Sequence, residues 1–445
     1  MGYIKRYFYV NEVWKSVITV WIVAFKLNYS IIKGIDQGMK TDPKKIFIRD
    51  FDYPLTHDRI AEFPVEKRDQ SRLLVYREGT CIDDHFYNIH QHLPENATLV
   101  VNNTRVIEAR VLFQKQTGGV IEIFCLEPHG QHMEKSLASP SPVQWQCMIG
   151  GASKWKPGQV LEKKIRIAGE EATVMARFIA REPDHFLIEF SWEPFHFSFS
   201  EILHASGAIP LPPYIKRQAT SYDAERYQTI FGKNEGSVAA PTSALHFTPE
   251  VFKKLGQKGI EVENITLHVG AGTFKPVKTE TVADHVMHGE PFSIQLESLK
   301  KIAASRYIIA VGTTTLRTLE SLYWIGVKFI HTKKEDYQLK QWEVYELEEK
   351  YPSIAAQEVF DFLIRWMERN QVNEMHCNTS LIIMPGYRFN IPHALITNFH
   401  QPQSTLLLLV SAFIGEEWKR VYQHALENNY RFLSYGDSSL LWKKD

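Results

Sequence analysis

The chain has 445 residues, a formal net charge of zero, 44% apolar residues and 23% charged ones. That length is too great for one compact core and points to at least two domains of ordinary globular composition. The charge balance removes any global basic signal, so a polyanionic partner needs a local basic surface. Cysteines at 81, 125, 147 and 377, with no Cys-x-x-Cys pair, argue against a zinc ribbon, an iron–sulfur cluster or a redox motif and fit a reducing, cytoplasmic setting.

In chain order, the first feature is the apolar run Val13–Phe25, which follows Lys5 and Arg6. It is shorter than the roughly 20 apolar residues a spanning helix needs and contains Lys15. No small-residue cleavage site of the signal-peptide type follows it. We read residues 1–38 as an extension outside the fold, with Met39 as the functional start and no stable membrane contact. Strands are expected at Leu73–Tyr76 and Leu99–Val101, the second running into Asn102-Asn103-Thr104-Arg105. From Ala109 to about Trp192, β-rich runs (ARVLF, GGVIEIFCLEP, VQWQCMIGG, ATVMARFIA, HFLIEFSW) recur at barrel-like intervals and predict a small all-β domain. After Ile209, strand–loop–helix units return: Tyr307–Val311 leads to a helix over Leu316–Trp324, and Ala394–Thr397 precedes the apolar segment Leu406–Phe413. Such units predict an α/β layer or barrel. The stretch 333–377 reads as helical, charged and chemically dull.

The densest chemistry lies in Ile265–Glu290, ITLHVGAGTFKPVKTETVADHVMHGE. Ile265, Leu267 and Val269 alternate with Thr266 and His268 in the period of a half-buried strand, and Gly270 and Gly272 allow a tight turn. His285, His288 and Glu290 follow, and a packed core needs no such collection of polar groups. Further polar clusters are Arg68–Arg72, the small-residue segment GSVAAPTSALHFT with His246, Thr397-Asn398-Phe399-His400, and Tyr435-Gly436-Asp437. Gly312-Thr313-Thr314-Thr315-Leu316-Arg317 places hydroxyls and free N–H groups at a helix start, suited to a carboxylate or phosphate. A turn with surface histidines, a core histidine and simple N-capping are the plain alternatives at these sites. No phosphate loop, dinucleotide fingerprint or nucleophile elbow is present. His285 and His288 form only a weak metal motif without a regularly spaced third ligand.

The blocks VVNNTRVIEAR, IPLPPYI, RYQTIFG, GSVAAPTSALHFT, ITLHVGAGTFKPV, DHVMHGE, AVGTTTLRTLES, ALITNFHQPQSTLLLLVSAF and YRFLSYGD resemble the signature blocks of the S-adenosylmethionine:tRNA ribosyltransferase-isomerase family of queuosine biosynthesis. They run in order from about Phe51 to Asp437. The resemblance implies an α/β barrel-like catalytic domain, 39–108 and 202–445, interrupted by an inserted β-barrel domain at 109–201. It implies transfer and isomerisation of the ribosyl moiety of S-adenosylmethionine onto 7-aminomethyl-7-deazaguanine at the tRNA wobble position, giving epoxyqueuosine with loss of adenine and methionine. Absent cysteine clusters fit a polar rather than radical use of S-adenosylmethionine. The sulfonium acidifies the adjacent 5′ C–H, and a general base removes that proton.

On that reading His246, His268, His288, Glu290 and His400 are the catalytic candidates, with His268, His288 or Glu290 as base and His246 or His400 assisting adenine departure. Thr313, Thr314 and Arg317 are expected at the methionine carboxylate. Arg72, Asn102, Asn103 and Arg105 are expected at sugar, phosphate or base, and Thr273, Phe274, His285, Asn398, Tyr435 and Asp437 are further substrate-binding positions. Lys163-Lys164 and Lys216-Arg217 are candidates for tracking phosphates. The expected partner is a tRNA with a GUN anticodon, read as a loop with splayed bases. We expect no metal and no resident cofactor, S-adenosylmethionine being a co-substrate, and a monomer. Ser243-Ala244 stands where the family pattern has Ala-Gly, and the 333–377 stretch is longer than usual. A divergent relative acting on another RNA or deazapurine, or a non-catalytic RNA-binding relative, is the competing reading.

Overall fold

A computed structural model describes residues 42–115, 117–156, 158–270 and 281–444. The extension at 1–38 and the positions Thr273 and Phe274 lie outside the described residues. From Phe47 onward the chain forms one compact unit containing two large sheets.

The first sheet has ten strands. In spatial order they are Gln338–Leu339, Glu374–Thr379, Glu290–Gln295, Glu261–Leu267, Thr98–Asn102, Ile308–Val311, Ala394–Asn398, Ser438–Trp442, Arg72–Arg77 and Thr80–His85. The four strands Glu261–Leu267, Thr98–Asn102, Ile308–Val311 and Ala394–Asn398 run parallel to one another. Three of them are buried along their whole length, which is why TLVVN, IIAV and ALITN read as continuous rather than alternating patterns. Helices cover them: the Thr313–Thr332 helix follows Ile308–Val311 directly after Gly312, and the Thr405–Ile414 helix follows Ala394–Asn398. The apolar segment expected at Leu406–Phe413 is therefore helical, capped by the Ser404 hydroxyl on the N–H of Leu407.

The second sheet is wholly antiparallel. Its seven strands are ordered Gly207–Ala208, Arg110–Gln114, Val120–Pro128, Val143–Gly150, Phe186–Glu193, Glu170–Arg181 and Val160–Ile167. The Phe199–Ser206 helix lies in its concave side, with the Phe199 ring 5.2 Å from both Trp145 and Phe190. A capping box at Ser198 and Glu201 starts that helix. Gly207–Ala208 pairs with Arg110–Val111, so the chain enters and leaves this sheet at one place, beyond residue 201.

The α/β class holds, and the second sheet curls until Arg110–Gln114 and Val160–Ile167 lie beside one another. Backbone pairing runs linearly in both sheets and closes neither into a ring among the described residues. In the second sheet the Phe199–Ser206 helix packs against both Val160–Ile167 and Arg110–Gln114, which also approach one another without backbone pairing. In the first, short or antiparallel strands end the run on both sides. No described helix is long and apolar enough to cross a membrane.

Candidate active site

The parallel strands end in Asn102, Leu267, Val311 and Asn398, and in open α/β sheets ligands sit beyond such carboxyl ends. A cavity of about 860 Å³ opens there, between the two sheets. The ten-stranded sheet contributes Thr266, His268, Glu290, Thr313, Thr314 and Arg317 to its wall. The antiparallel sheet and its short Met133–Ala138 helix contribute His132, Met133, Asp184 and His185.

His268 directly follows the Glu261–Leu267 strand. The period-2 alternation buries Ile265, Leu267 and Val269 and turns Thr266 and His268 towards the cavity. The strand end is clamped by Asn102, whose Oδ1 accepts the N–H of Leu267 at 3.1 Å and whose Nδ2 donates to the Leu267 carbonyl at 2.9 Å. The His268 N–H donates to the Pro291 carbonyl at 3.2 Å. Burial pushes the His268 imidazole down to about 4, so the ring is neutral at pH 7 and able to accept a proton. Its Nδ1 lies 3.0 Å from the Thr104 hydroxyl. Gly236 presses against the other side: it has φ +145°, and a Cβ there would come within 2.7 Å of Nδ1.

The start of the Thr313–Thr332 helix forms a second wall. Gly312 is the N-cap and offers no side-chain cap, and the first turn holds no acidic residue, so N–H groups and the Thr313 and Thr314 side chains are available to an anion. Arg317, pushed down to about 10 by burial, is ion-paired with Glu290. Glu290 also accepts the Gly270 N–H at 3.3 Å. Glu290 is thus placed between Arg317 and the end of the Glu261–Leu267 strand, on the cavity wall. His285 and exposed His288 sit on the opposite rim, where burial and the nearby His288 charge lower the His285 pKa.

Other expected site residues are placed elsewhere. His246 is sealed away from the cavity, its Nδ1 2.7 Å from the Ser71 hydroxyl and its Nε2 3.2 Å from Asn398, under the Phe86 ring. His400 is likewise buried, its Nε2 2.9 Å from the Thr397 hydroxyl and its backbone held by Tyr422 and Tyr53. Burial pushes both imidazoles down to about 3. Arg72 donates to the Asn428 carbonyl and stacks 3.8 Å over the Tyr430 ring. Asp437 accepts the N–H groups of Arg72 and Arg431. Tyr435 donates to buried Asp223. These residues lock the C-terminal segment against the sheet instead of facing the cavity. Asn103 accepts from the Thr266 hydroxyl at 2.8 Å, and half-exposed Arg105 lies 3.8 Å from Glu235. Of the basic pairs, Arg217 is bound to Asp223 at 2.7 Å and Lys163 donates to the Ser206 carbonyl at 2.6 Å, leaving Lys164 and Lys216 as the exposed members.

A family model described as "Queuosine biosynthesis protein" matches residues 48–441. The chain belongs to this family. The S-adenosylmethionine:tRNA ribosyltransferase-isomerase of Pelobacter propionicus is 37% identical over 407 residues, covering 89% of this chain and 100% of that protein. The protein of the same name from Magnetococcus marinus is 37% identical over 400 residues, covering 88% and 93%. A crystal structure of S-adenosylmethionine tRNA ribosyltransferase from Thermotoga maritima is 26% identical, covers 88% of this chain and 99% of that chain, and superposes with a TM-score of 0.41.

Within this family member, the structure adds residues that the sequence reading passed over. Thr104 and Ser237 stand behind His268. Gln341 grips the His285–His288 turn, donating to the His285 carbonyl at 2.6 Å and accepting the Met287 N–H at 2.9 Å. Tyr337, Gln338 and Asn378 also line the cavity, so the 333–377 stretch and its following strand are not chemically dull. A buried hydroxyl beside an apolar strand was a readable signal for Thr104; Gln341 sits among other polar residues and carried none.

Proposed function

We propose that the cavity between the two sheets is where the ribosyl group of S-adenosylmethionine is transferred to tRNA and isomerised. The chain is an S-adenosylmethionine:tRNA ribosyltransferase-isomerase. It acts on 7-aminomethyl-7-deazaguanine at the wobble position and yields epoxyqueuosine-tRNA, adenine and methionine. The observation that carries the catalytic assignment is a half-buried His268, neutral at pH 7, on the wall of a cavity whose other side is an uncapped helix start.

The sulfonium withdraws electrons from the ribose 5′ carbon, so its C–H is the acidic one. His268 takes that proton; the electron pair left on C5′ forms a C4′=C5′ double bond as the C4′–O bond breaks, and the freed ring oxygen forms a C1′ carbonyl as the C1′–N bond breaks and adenine leaves, taking up a proton. The deazaguanine amine must be neutral to attack, and a base in the same cavity serves that step as well. Thr313, Thr314 and the helix N–H groups hold the methionine carboxylate. Arg317, paired to Glu290, adds no net charge to that wall, so the carboxylate is held by the helix-start N–H groups and hydroxyls. Neither His246 nor His400 touches substrate on this assignment. Room of about 860 Å³ suits a nucleoside-sized co-substrate beside an extruded base.

We further propose that the tRNA carries a GUN anticodon, that the protein acts as a cytoplasmic monomer, and that it requires no metal or resident cofactor. The antiparallel sheet is read as a domain inserted into the α/β one, with His132 and Asp184 presenting a wall to the RNA base. Exposed Lys164 and Lys216 support an RNA-tracking surface, and binding weakens with salt. The test incubates the protein with S-adenosylmethionine and tRNA bearing the aminomethyl deazaguanine. Equimolar adenine and epoxyqueuosine are expected, and unchanged on chelation. Adenine release without a new nucleoside contradicts the transferase reading.

A further inference from the structure

His268 has two ring nitrogens, and only an unprotonated Nε2 can take a proton while Nδ1 is engaged. What fixes the ring in that form lies behind it, in the short parallel pair Thr104–Val106 and Asn234–Ser237. Thr104 and Ser237 are 1% and 0% exposed, so their hydroxyls exchange no hydrogen bonds with bulk water. The Thr104 Oγ1 meets three groups: His268 Nδ1 at 3.0 Å, Ser237 Oγ at 2.8 Å and the Asn234 carbonyl at 3.3 Å. Ser237 Oγ in turn accepts the N–H of Val269, the residue after the histidine, at 2.8 Å.

A hydroxyl has one proton to give and two lone pairs to receive. The Asn234 carbonyl can only accept, so a Thr104 proton directed to it leaves both lone pairs for Ser237 and His268. Ser237 then donates to Thr104, and His268 donates Nδ1–H to Thr104. The chain of donors is closed, every buried hydroxyl is satisfied, and Nε2 keeps its lone pair. We propose that Thr104, backed by Ser237, is a positioning residue that holds His268 in the Nδ1–H tautomer with Nε2 as the proton acceptor. Gly236 belongs to the same device. With no Cβ it lets the Asn234–Ser237 strand approach the Nδ1 and Cε1 atoms of the ring, where any side chain would clash.

This inference rests on the reading of His268 as the base, and the experiment separates the two. Selective ¹⁵N-histidine NMR of the full chain, assigned by loss of one signal set in His268→Asn, reports which nitrogen is protonated. Wild type is expected to show protonated Nδ1 and bare Nε2. Thr104→Val, nearly isosteric, is expected to give mixed tautomers and a kcat lowered roughly 10- to 100-fold, with KM for S-adenosylmethionine within about threefold, as for loss of a group that orients a catalytic histidine. Thr104→Ser restores both tautomer and rate. A wild-type ring protonated at Nε2 overturns the proposal even if Thr104→Val fails to fold, as does a Thr104→Val protein with full kcat or with lowered kcat and an unchanged tautomer. If His268→Asn keeps full turnover, the base assignment falls instead, whatever the tautomer.

Discussion

Two regions hold the histidines that the sequence singled out, and they differ in almost every physical respect. His268, His285 and His288 line an open cavity between the sheets. His246 and His400 lie in a sealed network behind the ends of the parallel strands, with Nε2 of each occupied by Asn398 or Thr397 and the His246 Nδ1 by Ser71. Burial lowers the pKa in both regions, to about 4 for His268 and about 3 for His246 and His400. A depressed pKa therefore does not distinguish a base from a strut. Access to a cavity does, because proton transfer needs a substrate within hydrogen-bond reach.

The comparison breaks most sharply at His268. His268→Asn preserves an amide near the Nδ1 position but removes Nε2, and kcat is expected to fall roughly 10²- to 10⁴-fold with little change in stability. Gly236→Ala forces a side chain into the His268 ring at a φ that disfavours it. It should lower kcat in the same direction, read by steady-state kinetics at unchanged S-adenosylmethionine affinity. A second break lies at the rim between the regions. Glu290→Ala leaves the buried Arg317 charge without its partner and should cost about 3–5 kcal/mol in chemical denaturation, because an unpaired buried charge is costly.

The sealed region predicts loss of stability without loss of chemistry. His246→Asn should cost roughly 1–3 kcal/mol through unsatisfied Ser71 and Asn398 groups while kcat stays within about threefold. The pH dependence follows from the same burial. In the unfolded chain these imidazoles take up protons near pH 6.5, whereas in the folded one His246 and His400 do so only near 3. The unfolded state thus binds more protons as pH falls below about 6.5, and stability drops by up to about 1.4 kcal/mol per pH unit per histidine until the folded values are reached. Urea midpoints measured from pH 7 to 4.5 should decline steadily, with a shallower slope in His400→Asn; equal slopes would mean His400 is not held neutral.

Much of the architecture was legible because the central strands are buried on both faces, which leaves a continuous apolar signature in TLVVN, IIAV and ALITN. The switch to short alternating runs after Ala109 marked the antiparallel sheet for the converse reason, since its strands bury mainly one face. Whether the outer strands hydrogen-bond into a ring was not legible, since edge pairing joins strands distant in sequence and no local pattern encodes it. At the site, Thr266 and His268 followed from strand alternation, and the Thr313–Thr314 corner from helix-start chemistry. The roles of Arg72, Tyr435, Asp437 and His246 did not. Each has a partner more than 150 residues away in sequence, so a motif containing them looks the same whether it faces substrate or another loop. The pairing of Glu290 with Arg317 was not legible for a related reason: it joins two blocks that each looked complete alone.

The most direct test of the account is single-turnover adenine release from S-adenosylmethionine in the presence of tRNA carrying the deazaguanine precursor, measured side by side for wild type, His268→Asn and His246→Asn. The account predicts that release in His268→Asn slows by roughly two orders of magnitude or more while both substrates still bind, and that His246→Asn stays close to wild type. Release at the wild-type rate in His268→Asn, or an equal loss in both variants, would contradict it.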